Sequence, residues 1–331
     1  MRTKPIPLVR ASQIRPFLSF MDHVGAPCER YLRQVKLPLL IYDNADAVLP
    51  ELFLWKLVHS FERNEKIEDF GLRTALLTPL WKSEHDLVVL LQSQATLWLA
   101  LTTFCYLTRQ VSTAVTFNVV RDNDFALLQR TQRPDIPGED QAELYDLMLM
   151  IQLVQLACGR DWMPDQLHVS KANSIRLKRN RKFEKVLIRP CNSMTRLAFP
   201  SKMLAEPLNP AALSIEQHHP GPLTDEFTES LKLIVASYLR EGSLNIHLAA
   251  EMAGLSKRTF QRRLSDAQIN FKTLVDQVRF KKAASILKTP GISITETAYD
   301  LGYSDAAHFT RAFRRWTALS PLEYQRQFEL A

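Results

Sequence analysis

Glycine is scarce in this 331-residue chain, 9 residues against 18 prolines, which excludes collagen-like and Gly-rich low-complexity architectures. Cysteine is scarcer still. Cys28, Cys105, Cys158 and Cys191 lie far apart, with no CxxC knuckle and no dense disulfide framework, so the thiols read as free and the compartment as reducing and cytoplasmic. The opening residues, MRTKPIPLVR, lack the apolar core of a signal peptide. Leu87 to Thr108 carries no charge, but Gln92, Ser93, Gln94, Thr96, Thr102 and Thr103 would be costly in hydrocarbon, so a buried helix and no membrane partner are expected. GxGxxG, GxxxxGK[ST] and GxSxG are all missing, and none of the eight histidines stands at i, i+4 from another. These gaps predict no enzyme, no cofactor and no metal site.

What is present is a globular composition, 46% apolar and 23% charged, with a net charge of +7 that suits a polyanionic partner without identifying one. The length admits two domains. Between Glu206 and Leu223 the sequence reads EPLNPAALSIEQHHPGPL, which neither helix nor strand accommodates for long, and a linker over 206–223 is expected. Before it, residues 1–205 read as an α+β domain. Helices are expected around Ser12–Val24, Pro50–Arg63, Leu87–Thr108 and Glu139–Cys158. A hairpin, Val115–Val120 with Phe125–Thr131, turns at 121–124, and strands are expected at Gln166–Val169 and Lys185–Arg189.

Residues 224–331 read as all-helical. A helix opening at Thr224 and a second over Phe271–Leu287 flank and join two short helix pairs. These pairs repeat at an offset of 48 residues: Ala250, Gly254 and Ser256 recur as Ala298, Gly302 and Ser304. In each, a short helix ends at Gly, the chain reverses, and Ser stands where the next helix would be capped, which is the pattern of a helix-turn-helix. The second helices bury Phe260 and Leu264, or Phe309, Phe313 and Trp316. Their outer faces carry Lys257, Arg258, Gln261 and Arg262 in the first copy and His308, Thr310, Arg311 and Arg315 in the second. Arg and Gln make bidentate bonds to guanine and adenine edges, so these eight residues are the candidate DNA contacts. From Gly242 to Ala331 there are 13 basic and 8 acidic residues, most of the chain's excess in under a third of its length.

The phrases LAAEMAGLSKRTFQRRL and ITETAYDLGYSDAAHFTRAFRRWTALSPLEY resemble the AraC/XylS family of bacterial transcription regulators over about 100 residues. The resemblance implies two helix-turn-helix motifs, with Arg258, Gln261 and Arg262 reading bases in the first and Thr310 and Arg311 in the second. Ala306 and Ala307 stand where the family often has a polar residue, which shifts the second motif toward phosphate and thymine-methyl contacts. Gly25, FGLRTA (Phe70–Ala75) and the stretch Ser93–Tyr106 resemble the arabinose-binding-type N-terminus of one branch. That implies a small-molecule effector, self-association as a homodimer, contact with RNA polymerase at double-stranded promoter DNA, and an activating role.

Other features admit two readings. Lys171–Arg189 holds eight basic residues and one acid, either a solvated loop or a phosphate contact. Trp55, Trp81, Trp98 and Phe104 could line an effector pocket or simply form core. Cys105 and Cys158 could sense oxidants or be inert core thiols. A nonspecific DNA binder, or an enzyme fused to a DNA-binding tail, are the alternative functions.

Overall fold

The structure, a computed structural model, describes residues 5–80, 86–133, 136–208, 223–224, 226–242, 244–289 and 291–329. Most of the expected linker lies outside the described residues, as do Trp81, His85, His218, His219 and Pro290. The chain divides into two compact units, one formed by Leu8–Leu37 with Glu51–Leu223, the other by Met1–Pro7, Pro38–Pro50 and Thr224–Ala331.

The first unit is α+β, as the sequence predicts. In chain order it contains β1 (Leu8–Arg10), α1 (Arg15–His23) and α2 (Cys28–Gln34); β2 (Val48–Pro50) falls in the other unit. Then come α3 (Glu51–Glu65), α4 (Phe70–Leu77), α5 (Asp86–Gln92), α6 (Leu97–Val111), β3 (Phe117–Asp122), β4 (Phe125–Thr131), α7 (Glu139–Cys158), β5 (Gln166–Val169), α8 (Lys171–Lys178), β6 (Leu187–Pro190) and β7 (Met194–Pro200). The sheet order is β3-β4-β7-β5-β6, antiparallel except for the parallel β5–β6 pair. Asp122 pairs with Phe125, so the hairpin turn is the two residues Asn123 and Asp124, with Asn123 at φ 46°.

Three expectations need correction. The charge-free stretch is two helices, because Ser93–Thr96 breaks it and the Thr96 side chain caps α6 by accepting from the Leu99 N–H. The central strand β7 was not expected, although Thr195, Leu197 and Phe199 alternate as its buried face. The basic segment opens as a helix rather than a loop, with Ser170 Oγ accepting from Asn173 N at 3.3 Å as the cap of α8.

The centre of this unit is α7. It is apolar on nearly every side, with Leu144, Leu147, Met148, Met150, Ile151, Leu153 and Val154 all buried, as expected of a helix surrounded by protein. Its buried glutamines complete the hydrogen bonding of neighbouring chain ends. Gln141 accepts from Gly71 N, and Gln152 accepts from Leu80 N while donating to the Ala75 carbonyl. Arg130 of β4 is fully buried and held by Glu139 at 2.6 Å and Asp146 at 2.5 Å. Burial works against its charge, and the two carboxylates overcome that and raise its pKa.

Of the four aromatic residues Trp81 lies outside the described residues, and the other three do not line one pocket. Trp55 and Phe104 are core, Phe104 packing edge-on to Phe117, and Trp98 is exposed. Cys105 is buried, and burial pushes its thiol up to about 11; burial also raises Cys158. Neither thiol has the lowered pKa that redox sensing requires.

Candidate DNA-binding surface

The second unit contains α9 (Phe227–Tyr238), α10 (Ile246–Met252), α11 (Lys257–Asp266), α12 (Phe271–Ile286), α13 (Ile294–Asp300), α14 (Ala306–Thr317) and α15 (Pro321–Glu329). Thr224 does not cap α9. Its hydroxyl accepts from Glu226 N ahead of the helix, and the helix begins three residues later than the sequence suggests. Pro38–Pro50 packs with these helices, and the Val48 N–H donates to Ser237 Oγ of α9 at 3.0 Å.

The two helix pairs share one turn geometry. After α10, the Gly254 N–H donates to Glu251 O and Leu255 N–H to Ala250 O, both at 2.9 Å. After α13, Gly302 N–H donates to Tyr299 O at 2.9 Å and Tyr303 N–H to Ala298 O at 3.0 Å. Both are Schellman closures with glycine in the left-handed region, at φ 64° and 77°. A Cβ on Gly302 would overlap the Leu239 carbonyl oxygen, so this glycine also permits a close approach of backbone.

The caps then diverge. Ser256 Oγ accepts from Thr259 N at 3.2 Å and caps α11 as its place in the repeat predicts. In the second copy the cap is Asp305, not Ser304. Asp305 Oδ1 accepts from His308 N at 2.7 Å, and Ser304 Oγ donates to the other oxygen at 3.3 Å. The first of these bonds holds the Asp305 carboxyl below its ordinary pKa. A capping box closes α15: Glu323 Oε2 accepts from Ser320 N at 2.7 Å, and Ser320 Oγ from Glu323 N at 3.2 Å.

Phe260 and Leu264 of α11 face inward, Phe260 between Phe227 and Phe271; Phe309 and Phe313 of α14 are fully buried. That packing turns Arg258, Gln261 and Arg262 outward on α11, and His308, Arg311, Arg314 and Arg315 outward on α14. The expected contact residues divide by what already holds them. Arg258, Gln261, Arg262 and Arg311 are exposed with no partner among the described residues. Lys257 Nζ lies 3.2 Å from His247 Nε2. Thr310 is half-buried and its hydroxyl donates to Ala306 O at 2.8 Å. Arg315 is paired with Asp276 of α12 at 3.0 Å. That pair was not visible in the sequence, since the two residues are 39 apart. A second tie runs from Arg279 of α12, which donates to Leu301 O at 3.1 Å and stacks over Tyr303.

An α+β unit in one chain with two such motifs defines a two-motif DNA-binding regulator, and comparison with known proteins identifies the family. Residues 25–208 match the model for the arabinose-binding domain of AraC transcription regulators, N-terminal, and residues 249–327 match a helix-turn-helix domain model. The chain therefore belongs to the AraC family of transcription regulators. It is similar to an HTH-type transcriptional regulator of Mycobacterium tuberculosis, 29% identical over 140 residues, covering 40% of this chain and 41% of that one. It is also similar to the ornithine utilization regulator of Pseudomonas aeruginosa, 33% identical over 137 residues, covering 39% and 40%. The chain thus spans less than half the length of these relatives. Among solved structures, the transcriptional regulator CdpR of Pseudomonas aeruginosa aligns with 95% of this chain and 98% of its own, at 21% identity and a TM-score of 0.37.

Among the described residues, no helix is long and apolar enough to cross a membrane, and no group of His, Cys, Asp and Glu could hold a metal ion.

Proposed function

We propose that this chain is a sequence-specific transcription activator controlled by a small-molecule effector held in its N-terminal domain. The observation that carries the DNA-binding part is the repeated motif, two matched turns each leading into a helix with unpaired Arg or Gln on its outer face. Arg258, Gln261 and Arg262 read base edges in one major-groove segment, and Arg311 reads the next. Lys257, His308 and Arg315 contact phosphate, and Thr310 offers its methyl to thymine. The domains are 1–205 for effector sensing and self-association, 206–223 as linker and 224–331 for DNA binding. The chain works in the cytoplasm as a homodimer and contacts RNA polymerase at the promoter.

The test is Arg258→Ala and Arg262→Ala, measured against a site selected from random DNA and against unselected DNA. Each change should cost about 1–3 kcal/mol on the selected site and far less on the other. Equal losses on both would reassign these residues to phosphate contacts and point to a nonspecific binder.

A further inference from the structure

Within the first unit a cavity of about 670 Å³ opens where the C-terminal turns of α3 meet the N-terminal turns of α7 and α8. That volume suits a small metabolite. It is not the aromatic pocket that the sequence suggests. Its walls are polar and charged, and the charges are unevenly matched.

On the inner wall stand two buried carboxylates, Glu139 and Glu143. Glu139 is paired with the buried Arg130, which it shares with Asp146. Glu143, 1% exposed, has no cation within ion-pair distance among the described residues. Its oxygens accept from Gln132 Nε2 at 2.7 Å, Asn173 Nδ2 at 2.8 Å, Ser170 N at 2.9 Å and Thr195 Oγ1 at 2.5 Å, all neutral donors. These bonds fix its position and satisfy its lone pairs with dipoles rather than with a cation. A buried ion compensated only by dipoles is costly, and a cation bound beside it recovers part of that cost.

The outer wall shows what such a cation would look like. Asp140 and Glu62 hold the Arg176 guanidinium at 3.0 and 3.4 Å, and Asn173 Oδ1 accepts from the same group at 3.1 Å. Arg176 is the protein's own cation, seated at the mouth and leaving the deeper carboxylate unserved. On the rim, Arg63 and Lys66 are exposed, with no partner among the described residues. They are placed to receive an anionic group on the solvent side.

We propose that this cavity binds a small molecule with a cationic nitrogen, ammonium or guanidinium, seated between Glu143 and Asp140, with Arg63 and Lys66 receiving a carboxylate where the ligand carries one. A basic amino acid satisfies both ends. This deepens the effector reading given above and rests on it only for the consequence on DNA, not for the binding itself.

The experiment uses the full chain and calorimetric titration with L-arginine, L-lysine and putrescine, with L-arabinose and succinate as neutral and anionic controls at constant ionic strength. At least one of the three cations should bind saturably, and neither control should. Glu143→Gln keeps the side chain's shape but removes its charge, and should weaken that binding at least tenfold. Should that variant melt markedly lower than the parent chain, Asp140→Asn at the more exposed wall gives the same reading without touching the core. No binding of any of the three cations, equal binding of L-arabinose, or indifference to both substitutions would overturn the proposal. Affinity for the selected DNA site is then measured with and without the bound cation. Binding without any change in DNA affinity leaves the cation site standing and removes effector control. A DNA response to L-arabinose with no cation binding does the reverse.

Discussion

The Arg315 guanidinium of α14 lies 3.0 Å from the Asp276 carboxylate of α12, so the outer face of the second recognition helix is tied to the helix that joins the two motifs. One strong candidate for DNA contact is therefore already spoken for, and its charge is partly cancelled before DNA arrives.

Replacing Asp276 with Asn should release that arginine. The pair is substantially exposed, so the stability change should stay within about 1 kcal/mol. Binding should become more salt-dependent, the slope of log K against log salt steepening by about one, and Arg315→Gln in the same background should cancel the gain. Anisotropy titrations between about 50 and 200 mM salt measure it. An unchanged slope would show that Arg315 does not reach phosphate.

Gly242 and Gly302 should respond unequally to alanine. Both hold left-handed φ, which costs a side chain roughly 1–2 kcal/mol. At Gly302 the new Cβ also meets the Leu239 carbonyl, and the chain must shift to admit it. Gly302→Ala should therefore lower the urea midpoint clearly more than Gly242→Ala, where a Cβ meets nothing within 4 Å. Equal losses would mean the close approach is relieved at no cost.

Helix α12 has 16 residues and so spans about 24 Å, which with the flanking turns lets the two recognition helices reach groove segments about 34 Å apart. Inserting one alanine after Gln277 rotates everything beyond it by about 100° and separates Asp276 from Arg315 in phase. Specific binding should disappear while helical content stays. Footprinting that still shows two protected patches one turn apart would refute the rigid spacing.

Acid should act on the DNA-binding unit in a defined direction. The His308 backbone N–H lowers the Asp305 pKa, and the Ser320 side chain and backbone lower that of Glu323. Both groups hold protons less readily folded than unfolded, so the stability they supply is present above the ordinary carboxylate range and is lost as pH falls through it. Asp305→Asn should flatten the melting temperature between about pH 5 and pH 3, relative to the parent chain. Parallel profiles would show that the cap contributes nothing through its charge.

Several elements were legible along the chain because their signals are local. Helix α7 runs over Glu139–Cys158 as expected, and β4 and β5 occupy the expected Phe125–Thr131 and Gln166–Val169. The repeat itself was readable because a turn that needs glycine leaves a mark at a fixed spacing. The errors have different causes. Ser304 and Asp305 both cap well, and the carboxylate took the helix end because it offers the stronger acceptor. Strand β7 was missed because MTRLAFP alternates its burial without showing it in polarity: Thr195 is buried while Ala198 is not.

By itself the sequence determined the α+β and all-helical classes, the two helix-turn-helix motifs and which side chains stand on their outer faces, since periodicity, caps and turns depend only on residues a few positions apart. What tertiary structure alone decided is which of those side chains remain free. Arg315 is engaged and Arg311 is not because α12 brings Asp276, 39 residues away in sequence, beside one and not the other. The cavity has the same origin. Its carboxylates and rim cations come from residues 59–68, 132–143 and 170–176, and Glu143 has four neutral donors and no cation as partners only once folding brings them around it. No spacing in the chain records that, because a charge becomes unpaired through what lies next to it in space.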